Sequence, residues 1–531
     1  MRRRFVAALF CDGASATLPH RITVPSSEEP VVLHPPGCGR AGEAPMRGFK
    51  NTLKPLNILP PEAEEQVHRA TLKILREHGV IFEDARALDL FRRAGLRVDD
   101  TEQRVFFAPE FVEQQIRRAP PRFTLHARNP DNDVVIGGDG LVFAPVSGPP
   151  FVADREGGRR DGTLKDQNDL VRLSEVLDVM HHGCPEVAVK DLPVETRHLD
   201  ILYHQIRLST KGMIGDAWST LRARDHIDMM AIVFGNREAI LDRPAIVGII
   251  NSNSPLRYDS NMAEGLIEYA DAGQVNIITP FIMAGATSPV TLAAAVAQQN
   301  AECLAAVVLA ETVRPGAPVM YGSFLTGLEM RTGAPAFGRP EAALGILSSA
   351  QMARRYNLPC RAGGVLTNSK VPDAQAGWEK MMQLWPIVLG GCHYVLHGAG
   401  WLDGGLTASF EQMVLDAEML EMLPRFFAGV PVSDETLALD VIAHVGAGGH
   451  FLGEEHTRRH FRSEFYFPNL ADTEAYESWV KKGEKDAGAR ATERWKKLLA
   501  SYQEPGLDMA VDDHLKDFVA RRKREIEATI D

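Results

Sequence analysis

Short apolar segments recur along this chain at the spacing of alternating strands and helices, and that rhythm limits the fold more than any other feature. Eight strand candidates stand at residues 141–146, 186–189, 212–216, 245–251, 275–281, 318–322, 359–363 and 392–397. Helical stretches separate them at 165–180, 197–209, 224–234, 261–272, 289–313, 341–356 and 373–389. Eight such units within residues 141–400 predict an α/β fold of the (βα)8 TIM-barrel type. The rival is a doubly wound open sheet, which normally carries a GxGxxG turn after an early strand. No such turn stands at a strand–helix junction.

Around the barrel, residues 51–140 read as an N-terminal helical cap followed by β-hairpin material, and residues 401–531 as a helical extension packed on the barrel. Residues 1–50, rich in Pro, Gly and Ser, read as a disordered tail, with Met46 as an alternative start. The basic opening Met1-Arg-Arg-Arg4 leads into an apolar run too short for a good secretory leader.

Composition narrows the function classes. A net charge of −12 argues against nucleic acid as a main partner. No apolar run approaches the roughly 20 residues of a membrane span. The six cysteines are scattered without CxxC spacing, as expected of small core residues in a reducing compartment, so a cytoplasmic protein is expected.

In a barrel the chemistry sits where strands end and loops begin. Those positions lack paired carboxylates, clustered metal ligands and a basic phosphate clamp, and are instead rich in aromatics, glycine and small polar groups. Trp218, Phe281, Tyr321 and Phe324 can wall a cage for a quaternary ammonium, held by cation–π attraction of about 0.5–2 kcal/mol per contact. The bland alternative is that these rings cap the core. Asp216 and Asn251 can orient a substrate and His397 can donate a hydrogen bond, although a lone histidine is more often structural. The loop Arg361-Ala-Gly-Gly-Val-Leu-Thr-Asn-Ser-Lys370 adds Gly363, Gly364, Val365 and Asn368 as groups that let a ligand approach the backbone. His456 and His460, four apart beside Glu454 and Glu455, have the spacing of a zinc pair but not the HExxH order, so a charged helix is expected and no bound metal.

Several blocks carry a family likeness: residues 321–338, Lys370-Val-Pro-Asp-Ala-Gln375, His397-Gly-Ala-Gly-Trp-Leu-Asp-Gly-Gly-Leu406, residues 414–421, and Gly449-His-Phe-Leu-Gly453 followed by His456-Thr457. In this order they resemble the trimethylamine methyltransferase superfamily over roughly residues 50–525. The resemblance implies a (βα)8 barrel that moves a methyl group from a methylamine to the Co(I) of a separate corrinoid protein. Founding members carry pyrrolysine in a loop that aligns with about 363–366, where this chain has ordinary residues. It therefore looks like the non-pyrrolysine branch, for which glycine betaine and related quaternary amines are expected methyl donors. A corrinoid supplied by a partner protein, a small quaternary amine and a homo-oligomer are the implied partners. Trimethylamine as donor, a (βα)8 lyase or hydrolase, and a non-catalytic betaine-binding or scaffold subunit remain the alternatives.

Overall fold

The computed structural model describes residues 47–530. The expected tail up to residue 46, with Met46 itself, lies outside the described residues. The last residues assigned to that tail are structured: Phe49–Lys50 form a strand, β1, antiparallel to Gly140–Phe143, β2.

The sheet rhythm is largely as read. After β2 come β3 (Met213–Gly215), β4 (Ile246–Ile250), β5 (Val275–Ile278), β6 (Val319–Gly322), β7 (Cys360–Ala362) and β8 (Tyr394–Val395). Their spatial order is β1-β2-β8-β7-β6-β5-β4-β3, and every pairing after β1–β2 is parallel. Each crossover carries helix, as parallel strands require: α1 (Leu164–Val176), α2 (Arg197–Leu208), α3 (Ser219–Phe234), α4 (Ser260–Asp271), α5 (Leu292–Val313), α6 (Pro340–Arg355), α7 (Ala374–Gly390), then α8 (Phe410–Glu421) after β8.

One strand candidate fails. Residues 186–189 form no regular strand, only isolated parallel bridges from Glu186 to Ser147 and from Val189 to Gly162. Pro185 has no N–H to donate, and Gly183 sits at φ 77°, so a ladder cannot continue through this stretch. The segment nonetheless bonds to the end of β2 and to the residue just before β3. His181 N–H donates to Phe143 O at 2.8 Å, and Gly183 N–H donates to Gly212 O at 3.0 Å.

Side-chain alternation sorts the strand residues into two layers. Val142, Ile214, Val247, Ile277, Met320 and Tyr394 form one buried cluster on the inner face of the curled sheet. Their neighbours Phe143, Met213, Ile246, Ile278, Tyr321 and Val395 belong to the larger cluster shared with the helices. Helix α5 is buried almost throughout. At 22 residues and mean hydropathy 1.4 it is long and apolar enough to cross a membrane, contrary to the sequence reading, but 83% of that window is buried among the other elements.

Candidate functional site

An aromatic cluster stands beyond the C-terminal ends of β5, β6 and β8. Two short strands, Phe281–Ala284 and Phe324–Leu328, pair in parallel with Phe281 opposite Phe324, bringing their rings to 4.8 Å. Phe337, just past the strand Pro335–Ala336, lies 5.6 Å from Phe324 and 6.3 Å from Phe281. From the loop after β8, His397 and Trp401 stack at 4.1 Å, and both lie near Phe324.

His397 is tightly held. Its Nδ1 accepts the Ser147 N–H at 3.2 Å, so in the neutral ring the hydrogen resides on Nε2. Burial, reinforced by the nearby Arg361 cation, pushes the imidazole well below its ordinary range and keeps it neutral. The backbone here is left-handed, at φ 63°, a conformation that persists only where its surroundings impose it. The Gly363–Gly364 turn supplies part of that frame. A Cβ on Gly363 would stand 2.6 Å from the Phe324 ring, and one on Gly364, at φ 115°, would stand 2.8 Å from His397 Cβ. Only glycine lets these two rings approach the loop.

Beneath the loop, Arg361 lies between the helix-facing Cys360 and Ala362, in register with inward-facing Tyr394. Its side chain is fully buried, its cation 5.4 Å from the Phe324 ring. The loop is pinned from behind by the buried pair Lys380–Asp416 at 2.8 Å. Lys380 Nζ also donates to Val365 O, and Asp416 accepts the Gly400 N–H, so one ion pair ties the 363–366 loop to the 397–401 loop. A void of about 10 Å³, the space of a single water, is lined by Phe324, Phe337, Gly363, Leu366 and Gln383.

A second cleft opens beyond β3. It holds about 60 Å³, open to solvent, between Glu186, Arg197, His198, Asp216, Arg222 and His226. Asp216 accepts from Trp218 N–H at 2.8 Å and pairs with Arg222 at 3.0 Å. Burial and the Asp216 charge push the Glu186 carboxyl up to about 7. Two carboxylates thus line one cleft, which the sequence reading did not foresee: the apolar pattern puts Glu186 inside a strand, and the 181–189 segment forms none.

The expected site residues therefore divide. Phe281, Phe324, His397, Gly363, Gly364 and Val365 come together. Asn368 flanks them, its amide donating to Pro335 O at 2.9 Å. Trp218 stands at the other cleft, 46% exposed, under the Arg222 cation at 5.0 Å. Tyr321 is fully buried on the helix-facing side of β6, stacked on Tyr356. Asn251 lies exposed after β4. Sequence reasoning misses Phe337, Trp401, Arg361 and Glu186. Arg361 has a signal, a charge in the middle of a strand candidate buried on both faces. His456 and His460, their rings 4.4 Å apart on the helix Glu455–Glu464, turn toward Glu435.

Comparison with known proteins places the chain among relatives. The family model for trimethylamine methyltransferase (MTTB) matches residues 38–527. A glycine betaine methyltransferase of Desulfitobacterium hafniense is 43% identical over 88% of this chain and 98% of its own length. A trimethylamine methyltransferase of the same species is 32% identical over 92% of this chain and 97% of its own. Among solved structures, the monomethylamine methyltransferase of Methanosarcina barkeri aligns with 85% of this chain and 90% of its own, at 11% identity and a TM-score of 0.49.

Proposed function

The chain belongs to the trimethylamine methyltransferase family and is a methyltransferase, and from that premise we propose that it demethylates a betaine-type quaternary amine, passing the methyl group to the Co(I) of a partner corrinoid protein. The observation that carries this reading is the cluster of Phe281, Phe324, Phe337, His397 and Trp401. It offers π faces and a neutral imidazole to a cation. The curled sheet is read as a (βα)8 barrel whose missing stave is the 181–189 segment. Residues 51–140 are taken as its cap, 141–400 as the barrel and 401–531 as the extension.

The chemistry needs little from the protein. The electron pair of Co(I) attacks the methyl carbon in line, the C–N bond breaks, and its electrons return to nitrogen. A quaternary ammonium leaves as a neutral tertiary amine, so no proton is required. The protein's task is to hold the cation in a dry aromatic site with one methyl facing the acceptor. Phe281, Phe324 and Trp401 are assigned to the cation, His397 to orientation, and Gly363 and Gly364 to the close approach of the loop.

A second reading draws on the Glu186–Asp216 cleft. Two carboxylates, one titrating near neutrality, suit a protonated tertiary methylamine, whose added proton makes the amine a leaving group. Purified protein incubated with Co(I)-cobalamin and glycine betaine, carnitine, choline or trimethylamine separates the two. Methylcobalamin from the betaine supports the first reading, and product from trimethylamine alone supports the second. No product from any donor sinks both.

A homo-oligomer is also proposed. Val430, Val432, Leu439, Leu452, Phe465 and Tyr476 are all exposed within one stretch of the C-terminal extension, apolar side chains that a second copy can cover. Light scattering that finds a monomer at micromolar concentration would count against it.

A further inference from the structure

We propose that residues 430–463 form an arm that two copies of this chain exchange, each laying its arm on an apolar stripe of α7 in the other. This rests on the homo-oligomer reading and names the two surfaces that make the contact.

The arm's order is not explained by its own subunit. Its three helices, Asp434–Leu437, Leu439–Val445 and Glu455–Glu464, are 4, 7 and 10 residues long, and none of them buries a residue. Helices shorter than about 12–15 residues are marginal in water unless packing holds them. Among the described residues, the hydrogen bonds and ion pairs of residues 430–463 all fall within 430–465. The arm is also apolar where it is bare: Val430, Val432, Leu439 and Leu452 are each two-thirds or more exposed.

A second unpartnered surface lies on the barrel. Trp378, Met382 and Trp385 stand at i, i+4 and i+7 on α7 and so share one side of that helix. Trp378 is 63% exposed, and Met382 is exposed as well. Phe426, half exposed, packs edge-on against Trp385 at 4.8 Å and carries the stripe to the foot of α7. A contiguous apolar stripe of this kind marks a contact surface.

The occupant is a second copy for three reasons. One chain carries both surfaces, so a two-fold contact covers arm and stripe on both copies at once. The size fits. An aromatic ring covers about 150–250 Å² when buried, and Trp378, Phe426, Phe465 and Phe467 are each about half exposed or more. With the arm's aliphatic side chains they reach the roughly 800 Å² that each partner gives to a standard stable interface. The position fits too. The arm is rooted at the barrel end opposite the Gly363–Gly364 and His397–Trp401 loops. There Phe427 O accepts the Thr52 hydroxyl at 2.8 Å, close to β1 at the start of β2, and Arg425 joins the arm's two ends by pairing with Glu464 at 2.8 Å. An acceptor protein that must reach the mouth would leave the arm and the foot of the stripe bare.

Sedimentation of the full chain from nanomolar to micromolar concentration tests this with two paired variants, Val432→Glu/Leu452→Glu in the arm and Trp378→Glu/Met382→Glu in the stripe. The wild type is expected to self-associate, and each paired variant to raise the dissociation constant at least about thirtyfold, the scale of losing a central apolar contact. Serine replaces glutamate in any variant that circular dichroism shows unfolded. Mixing the two variants leaves one intact arm-on-stripe contact in every heterodimer, so the mixture should associate more tightly than either variant alone. A wild type that stays monomeric overturns both this contact and the homo-oligomer reading. Association undiminished in both variants overturns the contact alone, and so does a mixture that associates no better than its components.

Discussion

His397 lies flat against Trp401, ring centroids 4.1 Å apart and planes within 6° of parallel. The contact joins the only histidine of the aromatic cluster to its largest ring, and both arise from the single loop that follows β8. If the cluster holds a cation, Trp401→Leu removes the strongest π face while keeping apolar volume. Affinity for glycine betaine should fall by about 0.5–2 kcal/mol, roughly 2- to 30-fold. Affinity unchanged by calorimetry would remove Trp401 from the binding surface.

Gly364 bears the cost of that arrangement. Its φ is 115°, and a Cβ added there would collide with the Leu396 carbonyl oxygen, so no side chain has room. Gly364→Ala is expected to destabilise the protein by about 1–3 kcal/mol in urea unfolding. Gly377, exposed within α7 and facing open space, is the control: its replacement by Ala should stabilise by up to about 1 kcal/mol. Equal effects at both positions would show that the loop backbone is not constrained.

The Lys380–Asp416 pair makes a separate prediction. Lys380→Met strands a buried carboxylate and should cost about 3–5 kcal/mol. Adding Asp416→Leu should restore part of that loss, because no lone charge then remains. A double variant whose loss equals the sum of the two single losses would mean that the pair does not act as a unit.

Glu186 predicts a pH dependence with a defined sign. Its carboxyl is raised from 4.5 to about 7, so the folded protein holds this proton more tightly than the unfolded chain does. Its contribution to stability is complete below about pH 4.5 and is lost as pH rises through 7. Glu186→Gln cannot lose that proton, so its melting temperature relative to wild type should climb between pH 5 and pH 8. A constant difference across that range would place Glu186 in an ordinary solvated setting.

For His397 the sign is opposite. The neutral ring is the stable folded form, and protonation at low pH works against the fold. Betaine affinity should therefore show no His397 inflection between about pH 6.5 and 9. An inflection that disappears in His397→Asn would show that the ring titrates in that range.

Much of this protein is legible in its order of residues. The 2.0 and 3.6 periodicities are local, and they mark seven of the eight strand candidates and the helices between them. Phe281, Phe324, His397 and the two glycines can be named because a strand end and a turn glycine are also local features. The eighth strand misleads because Val187 and Val189 look like strand residues, while Pro185 and Gly183 break the ladder just before them.

What the order of residues leaves open are the facts that depend on which face a side chain takes and what crosses to meet it. Tyr321 and Arg361 both sit in apolar strands, yet one turns to the helices and stacks on Tyr356 while the other turns inward beneath the aromatic rings. A shift of one residue exchanges those faces. Glu186 shares a cleft with Asp216, and Lys380 meets Asp416, across separations that no periodicity records. The alternating framework, and the kind of residues at its open end, were written into the chain. Which of those residues converge was set by folding, because convergence follows from strand register and helix packing between segments far apart in the chain.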